Sequence, residues 1–520
     1  MEQHAAVIPT RQSAPVCQTM LGPLSGFWQD GVAVFRGVPF AAPPTGERRF
    51  APASPPASWS GVRDATKHGP IAPQTPSRLR AAMGDFTRPQ DEDCLTLTVW
   101  TPALDNAKRP VLVWLHGGAY TTGAGSLDWY DGSILAREGD IVVVGVNYRL
   151  GALGFLHYPG VSDGNIGIGD QQTALAWIRD HIANFGGDPG CITVCGQSAG
   201  GGSIAQLLMD PAARALFHRA ILQSTPLGEP PHAAERVAQT GGRFLDVLGL
   251  SGAPDALARL QALPATKILA AQREVILSAP KPGAGHLPFA PMLWNELTPD
   301  AYLDAIADGS AGKEILIGGT LEEMHGFFAA DETMTSLNQN RLADLVTAAT
   351  GDASTIEPYR RRRPEGRPMD WFADLLTDRR FLRPSWLLAA KIANRGGKAW
   401  SYRFDWSPPN SPFMACHCIE IPFMFGNSAT QWPDAAMLAG GDANEMELLS
   451  RRMRSCWINF VRTGDPNHRE IPTWPSHGVG TDKFMSFDTT IKVADWGMTI
   501  FPCLGSDHAA SAKTPKREQR

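Results

Sequence analysis

The pentapeptide Gly196-Gln197-Ser198-Ala199-Gly200 is a G-x-S-x-G pattern, and its flanks give it a chemical meaning. It lies between a short β-rich run, Ile192 to Cys195, and a stretch of helical composition, Ala199 to Met209. A serine on a tight strand-to-helix turn is lifted out of a sheet and offered as a nucleophile, and small flanking residues let neighbouring chain pass close by. The start of the following helix supplies positive potential where an oxyanion would form. A second group, His116-Gly117-Gly118-Ala119-Tyr120, directly follows the apolar run Val111 to Leu115. Small residues there would let backbone N–H groups approach a reacting carbonyl, the requirement for acyl transfer. The expected oxyanion donors are the N–H groups of Gly118, Ala119 and Ala199, with His116 holding the loop by hydrogen bonds. Cys416-His417-Cys418 concentrates metal-binding side chains but lacks the C-x₂-C and H-x₃-H spacings of zinc sites, so no metal is expected.

These residues need a scaffold. Gly31 to Val38 has the composition of a hairpin strand, and Pro39 with Pro43-Pro44 forces an extended loop after it. Thr96 to Trp100 is a further strand. Val111 to Leu115 and Ile141 to Val146 are apolar throughout, as strands covered on both faces are, and such strands sit centrally in parallel sheets. Asp170 to Phe185 carries apolar residues near helical spacing and is ended by Gly186-Gly187. Ala220 to Gln223 and Glu314 to Gly318 add buried strands. The alternation predicts an α/β chain with a central, mostly parallel sheet and helices on both faces. Residues 1–503 are expected to form one domain. Helical insertions at about 228–308 and 331–385 would cover the sheet's C-terminal edge, and 504–520 would be a disordered polar tail. The run Arg360 to Arg363 is expected to be a solvated helix end.

Composition narrows the classes. The 520 residues carry 47 Lys+Arg against 52 Asp+Glu, a net charge of −5, without the basic face of a nucleic-acid binder. A hydrophobic content of 43% excludes general disorder. No apolar run approaches the roughly 18 residues of a membrane span, and the opening residues lack the apolar core of a secretory leader. Eight cysteines are too few for a disulfide scaffold, which predicts a reduced, cytoplasmic chain.

Longer motifs add a resemblance. Phe35 to Gly46 with Arg48-Arg49-Phe50, Glu92 to Pro102, Asn147 to Gly151, Phe185 to Pro189, the serine pentapeptide and Phe460 to Asn467 occur in the order found in the type-B carboxylesterase and cholinesterase family. The bacterial branch that includes the para-nitrobenzyl esterases is most similar. The resemblance implies an α/β-hydrolase fold and ester hydrolysis through an acyl-enzyme, without cofactor, on a triad ordered serine, acid, histidine. The family's H-x-x-E-[IL]-P-F-x-F-G pattern matches residues 417–426 and implies that His417 is the base. Its acid stretch matches Ile317 to Met324, which implies Glu323 as the acid, Glu322 as an exposed neighbour and Asp331 as the next candidate. Ser224, after Gln223, would stand behind the acid, and Gln197 takes the place of the usual glutamate before the serine. Arg49 with Glu92 and Arg149 with Asp170 would be buried structural ion pairs.

The resemblance also has gaps. Cys94 would lack the disulfide partner of secreted members, because Ala72 stands at that position. The loop between them lacks the tryptophan that holds choline in cholinesterases. The implied partner is a small ester, on a monomer or homodimer. Carbamate or amide hydrolysis on the same triad is the alternative, and an inactive binding domain a distant one. Tyr120, Trp129, Tyr130, Phe327, Phe328, Phe413 and Met414 flank the motifs and are open to either a pocket or a core role.

Overall fold

The computed structural model describes residues 13–278, 287–478 and 482–496. Its frame is an 11-stranded sheet. In chain order the strands are β1 (Phe27–Gln29), β2 (Val32–Pro39), β3 (Thr96–Thr101), β4 (Arg109–Leu115), β5 (Val142–Val146) and β6 (Gly187–Gln197). They continue with β7 (Arg219–Gln223), β8 (Glu314–Thr320), β9 (Lys398–Phe404), β10 (Lys483–Phe487) and β11 (Lys492–Asp495). The spatial order is β11-β10-β9-β8-β7-β6-β4-β5-β3-β2-β1. From β10 to β5 every neighbouring pair is parallel, and the outer pairs are antiparallel.

The apolar runs do what covering on both faces requires. In β4, Val111, Val113 and Leu115 face one core, and Leu112 and Trp114 face the other. The first core is closed by helices α1 (Ile166–His181), α2 (Ala199–Met209), α3 (Pro299–Gly309) and α4 (Arg383–Asn394). The second is closed chiefly by α5 (Ala443–Thr463). Helix α3 packs on α2 and α4, so the end of the 228–308 stretch belongs to this covering layer rather than to an insertion over the sheet edge. Residues 324–381 gather a separate apolar cluster around Phe328, Phe372, Leu375 and Leu376.

Topology places the site. β4 lies between β5 and β6, so the chain leaves β4 to one side and returns on the other. At such a switch point the loops after the two strands diverge and leave a crevice beyond their carboxyl ends. Leu115 of β4 pairs with Gly196 of β6, Gln197 with Gln223 of β7, and Gln223 with Gly318 of β8. His116, Ser198, Ser224 and the turn after Thr320 therefore leave the same edge of the sheet side by side.

The two expected ion pairs are present. Arg149 grips Asp170 through two nitrogens, at 2.8 and 2.6 Å, with both side chains almost fully buried. Arg49 pairs with Glu92 and also donates to the carbonyls of Leu260 and Leu263. Each such arginine spends its donors on one carboxylate and on backbone oxygens, which offsets the cost of burying its charge. The arginine run is solvated only in part, with Arg361 exposed. Arg362 pairs with Asp374 and Asp378, and Arg363 with Asp374 and Glu322. Spacing alone counted the charges without seeing the buried carboxylates of 370–378 that face them.

Candidate active site

Ser198 has φ 56° and ψ −120°, a strained conformation for a residue with a side chain. It persists because both sides hold it: the Ser198 N–H donates to the Gln223 carbonyl at 2.8 Å, and the Ser198 carbonyl accepts from Gly202 at 2.9 Å. Gly200 explains why the pattern needs glycine. A Cβ there would lie 1.9 Å from the Leu115 carbonyl oxygen, so any side chain would push α2 away from β4.

The loop after β4 turns through three residues with positive φ: Gly118 at 113°, Ala119 at 55° and Tyr120 at 59°. A Cβ on Gly118 would meet the Thr122 carbonyl oxygen at 2.1 Å. The Gly118 carbonyl accepts from Thr121 and Thr122, which closes the turn. Among the described residues the N–H groups of Gly118 and Ala119 donate to no protein acceptor. Ala199 opens α2, where the helix offers its N–H no acceptor. His116 lies wholly buried beneath. Its Nδ1 contacts the Gly117 carbonyl at 2.7 Å, its ring stacks on Tyr148, and the Tyr148 hydroxyl donates to the His116 carbonyl. Burial lowers its pKa to about 4, so the ring is neutral.

His417 is buried, and its Nδ1 contacts Glu323 Oε2. Glu323 Oε1 accepts the Thr320 N–H at 2.8 Å, and the Glu323 carbonyl accepts the His417 N–H at 3.2 Å. Glu323 and His417 are thus tied by both side chain and backbone. Among the described residues no hydrogen bond joins Ser198 Oγ to the imidazole. Gln197 Nε2 instead donates to His417 Nε2 at 3.2 Å, while Gln197 Oε1 accepts from Cys418 Sγ at 3.4 Å. That pattern requires a neutral imidazole with its hydrogen on Nδ1, toward Glu323. The structure so brings Gln197 into direct contact with the histidine beside which Ser198 stands.

Other residues differ from expectation. Glu322 is buried, not exposed: its Oε2 accepts the Ala415 N–H and its Oε1 the Arg363 guanidinium, each at 3.1 Å. The chain must fold back to deliver His417, and Glu322 fastens that return. Ser224 donates to Glu420 Oε1 at 3.1 Å, not to Glu323. Glu420 is fully buried, with Oε2 unpartnered. Burial, reinforced by the charge of Glu323, raises its pKa to about 8, which keeps it protonated at neutral pH. The signal for it was a lone carboxylate within the apolar run Ile419 to Phe425. Phe327 and Phe381 pack on the His417 ring, with centroids at 5.2 and 5.3 Å. Phe328 stacks on Phe372 in the satellite core and Tyr130 packs on Trp114, so these two serve packing, whereas Trp129, stacked on Trp432, also lines a cavity of about 250 Å³. Tyr120 packs on Phe155, Phe413 is buried, and Met414 Sδ accepts from Arg363. Asp331 caps the short helix Glu332–Thr335.

Cys94 is a buried free thiol, and Ala72 is buried as well. All seven described cysteines are free; Cys503 lies outside the described residues, as does the tail. Among the described residues no group of three or more His, Cys, Asp or Glu side chains is arranged for a metal, and no helix is long and apolar enough to cross a membrane.

A strained serine turn between β6 and α2, an N–H-lined loop after β4 and a histidine–carboxylate pair from the loops after β9 and β8, on this sheet, define an α/β-hydrolase fold. Residues 13–499 match the model of the carboxylesterase family, and the chain belongs to that family. It is a carboxylic ester hydrolase. It is 39% identical to the phenmedipham hydrolase of Pseudarthrobacter oxydans, over 89% of this chain and 92% of that one. It is 36% identical to the para-nitrobenzyl esterase of Bacillus subtilis, over 92% and 96%. The fold superposes on the carboxylesterase EST55 of Geobacillus stearothermophilus with a TM-score of 0.82 at 35% identity, covering 93% of this chain and 98% of that one.

Proposed function

We propose that the chain hydrolyses small carboxylic esters through an acyl-enzyme on Ser198, with His417 as general base and Glu323 as the carboxylate that orients it. The observation that carries this reading is the His417 imidazole, bound at Nδ1 by Glu323 and presenting Nε2 to the elbow that bears Ser198. For reaction, the Gln197 amide yields Nε2 to the Ser198 hydroxyl. His417 takes that proton as Oγ attacks the ester carbonyl, and Glu323 stabilises the imidazolium. The N–H groups of Gly118, Ala119 and Ala199 receive the oxyanion. The imidazolium protonates the departing alcohol, and water releases the acid by the same steps in reverse. His116 holds the oxyanion loop, and Ser224 acts on the site only through Glu420.

Residues up to about 503 act as one catalytic domain, with parts of 228–308 and 331–385 shaping the substrate side. The free thiols support a cytoplasmic location, and the chain works as a monomer or homodimer. A fluorophosphonate probe followed by peptide mapping tests the mechanism: the label is expected on Ser198, and Ser198→Ala is expected to lose both the label and at least ~10³-fold in kcat on 4-nitrophenyl esters. Turnover retained in pure Ser198→Ala would refute it. Carbamates and anilides tested alongside show which leaving groups the same site accepts.

A further inference from the structure

Near the imidazole stands a cation with no anionic partner among the described residues. Arg78 takes part in no ion pair or hydrogen bond among the described residues; its recorded contact is its guanidinium carbon 5.8 Å from the centroid of Phe327. Phe327 packs on His417 at 5.2 Å, so the guanidinium lies within the sum of the two, about 11 Å, of the imidazole. The backbone confirms the proximity. A Cβ placed on Gly326 would be 3.4 Å from Leu79 Cδ2 and 3.6 Å from the His417 backbone nitrogen. Leu79 thus fixes the chain that carries Arg78 beside the loop that carries the base.

The charges nearest to Arg78 are already engaged. Asp331 Oδ1 accepts from the N–H and hydroxyl of Thr333 at 2.8 and 2.6 Å, and Arg380 pairs with Glu229 at 2.7 Å. Arg78 is solvent-exposed, yet surrounding protein and then Arg380 pull its pKa below the ordinary guanidinium value, against a smaller opposing effect of Asp331. The side chain is reachable from solvent, and protein atoms nonetheless lie close to it. A guanidinium remains charged in such a place and lacks only an anion that fits its fork.

We propose that Arg78 is the anion-recognising residue of the substrate cleft, and that the esters this enzyme prefers carry a carboxylate away from the scissile bond. This rests on the triad reading above. The carboxylate can belong to the acyl part or to the alcohol part, and two matched pairs of substrates separate these. The acyl pair is 4-nitrophenyl hydrogen glutarate against 4-nitrophenyl pentanoate. The alcohol pair is 4-(acetoxymethyl)benzoate against 4-methylbenzyl acetate. The quantity read is the ratio of kcat/KM within a pair, so a general loss of activity in a variant cancels.

In one pair the wild-type ratio is expected to favour the acid, to fall about 10- to 100-fold in Arg78→Gln and to be largely kept in Arg78→Lys, as for a charge-assisted contact. Added salt should reduce the wild-type ratio. Arg341→Gln, an exposed arginine of the satellite helices, makes the same change in net charge and should leave the ratio as it is. Ratios unchanged by Arg78→Gln in both pairs, or lowered equally by Arg341→Gln, would overturn the proposal while leaving the ester hydrolase intact. Turnover of the neutral esters by Ser198→Ala would instead overturn the triad.

Discussion

Replacing Gln197 by glutamate exchanges the amide that touches His417 Nε2 for a carboxylate at the same 3.2 Å. With an effective dielectric of about 20, a unit charge at that distance stabilises the imidazolium by about 5 kcal/mol, a ceiling of nearly four pKa units. The realised shift is smaller. The new carboxylate would be as buried as Gln197 and would share its surroundings with Glu323 and Glu420, so part of its charge is lost to protonation. We expect the acid limb of the kcat/KM–pH profile for a neutral nitrophenyl ester to move up by about 1–2 units. Turnover near pH 6 should fall about 10- to 100-fold, with recovery above pH 8. The profile is measured from pH 5 to 9 against an active-site titre, so misfolded protein is not counted. An acid limb within about 0.3 unit of wild type, at full titre, would refute the contact between residue 197 and the base.

Glu323→Gln should lower kcat roughly 10³- to 10⁴-fold. Glu322→Gln should stay within about tenfold in kcat but lower unfolding stability by about 1–2 kcal/mol, since Arg363 keeps Asp374; the reverse ranking in kcat would move the acid to Glu322. Asp170→Asn strands the buried Arg149 charge and should cost about 3–5 kcal/mol in denaturant unfolding, with a loss under 1 kcal/mol refuting the pair's structural role. Glu420 has a raised folded-state pKa of about 8, so the fold holds its proton more tightly than the unfolded chain does. Its contribution is fully present below about pH 4.5 and is lost as pH rises through 8. Glu420→Gln should therefore flatten the fall of Tm between pH 5 and 8.5, and parallel Tm curves would refute the buried, protonated state.

What the sequence showed depended on how local the cause was. Ser198 was legible because strand, turn, glycines and helix are contiguous, and the helix begins and ends at Ala199 and Met209 as its composition required. The both-face burial of β4 and β5 was legible for the same reason. His417 and Glu323 were reached through motif resemblance, since no local rule pairs residues 94 positions apart. Glu322 was misread because its partners, Arg363 and Ala415, come from distant segments. The late strands β9 to β11 escaped notice: each opens on a lysine and carries polar or charged residues among few apolar ones, and β10 and β11 span only five and four residues. The contact of Gln197 with the base is tertiary and had no sequence signal beyond its unusual side chain.

The spacing of the site along the chain also sets when activity can first arise. At ribosomal rates of about 5–20 residues per second, the 219 residues between Ser198 and His417 take roughly 10–40 s to emerge. Until its end a nascent chain can hold the elbow and the N–H-lined loop on β4 and β6, and later β8, while the loop that follows β9 and bears His417 is still missing. The half-made enzyme is thus inert toward the cell's esters. Its hydrolytic signal reports only molecules that have placed β8 and β9, which makes turnover a gauge of folding at least as far as the histidine loop.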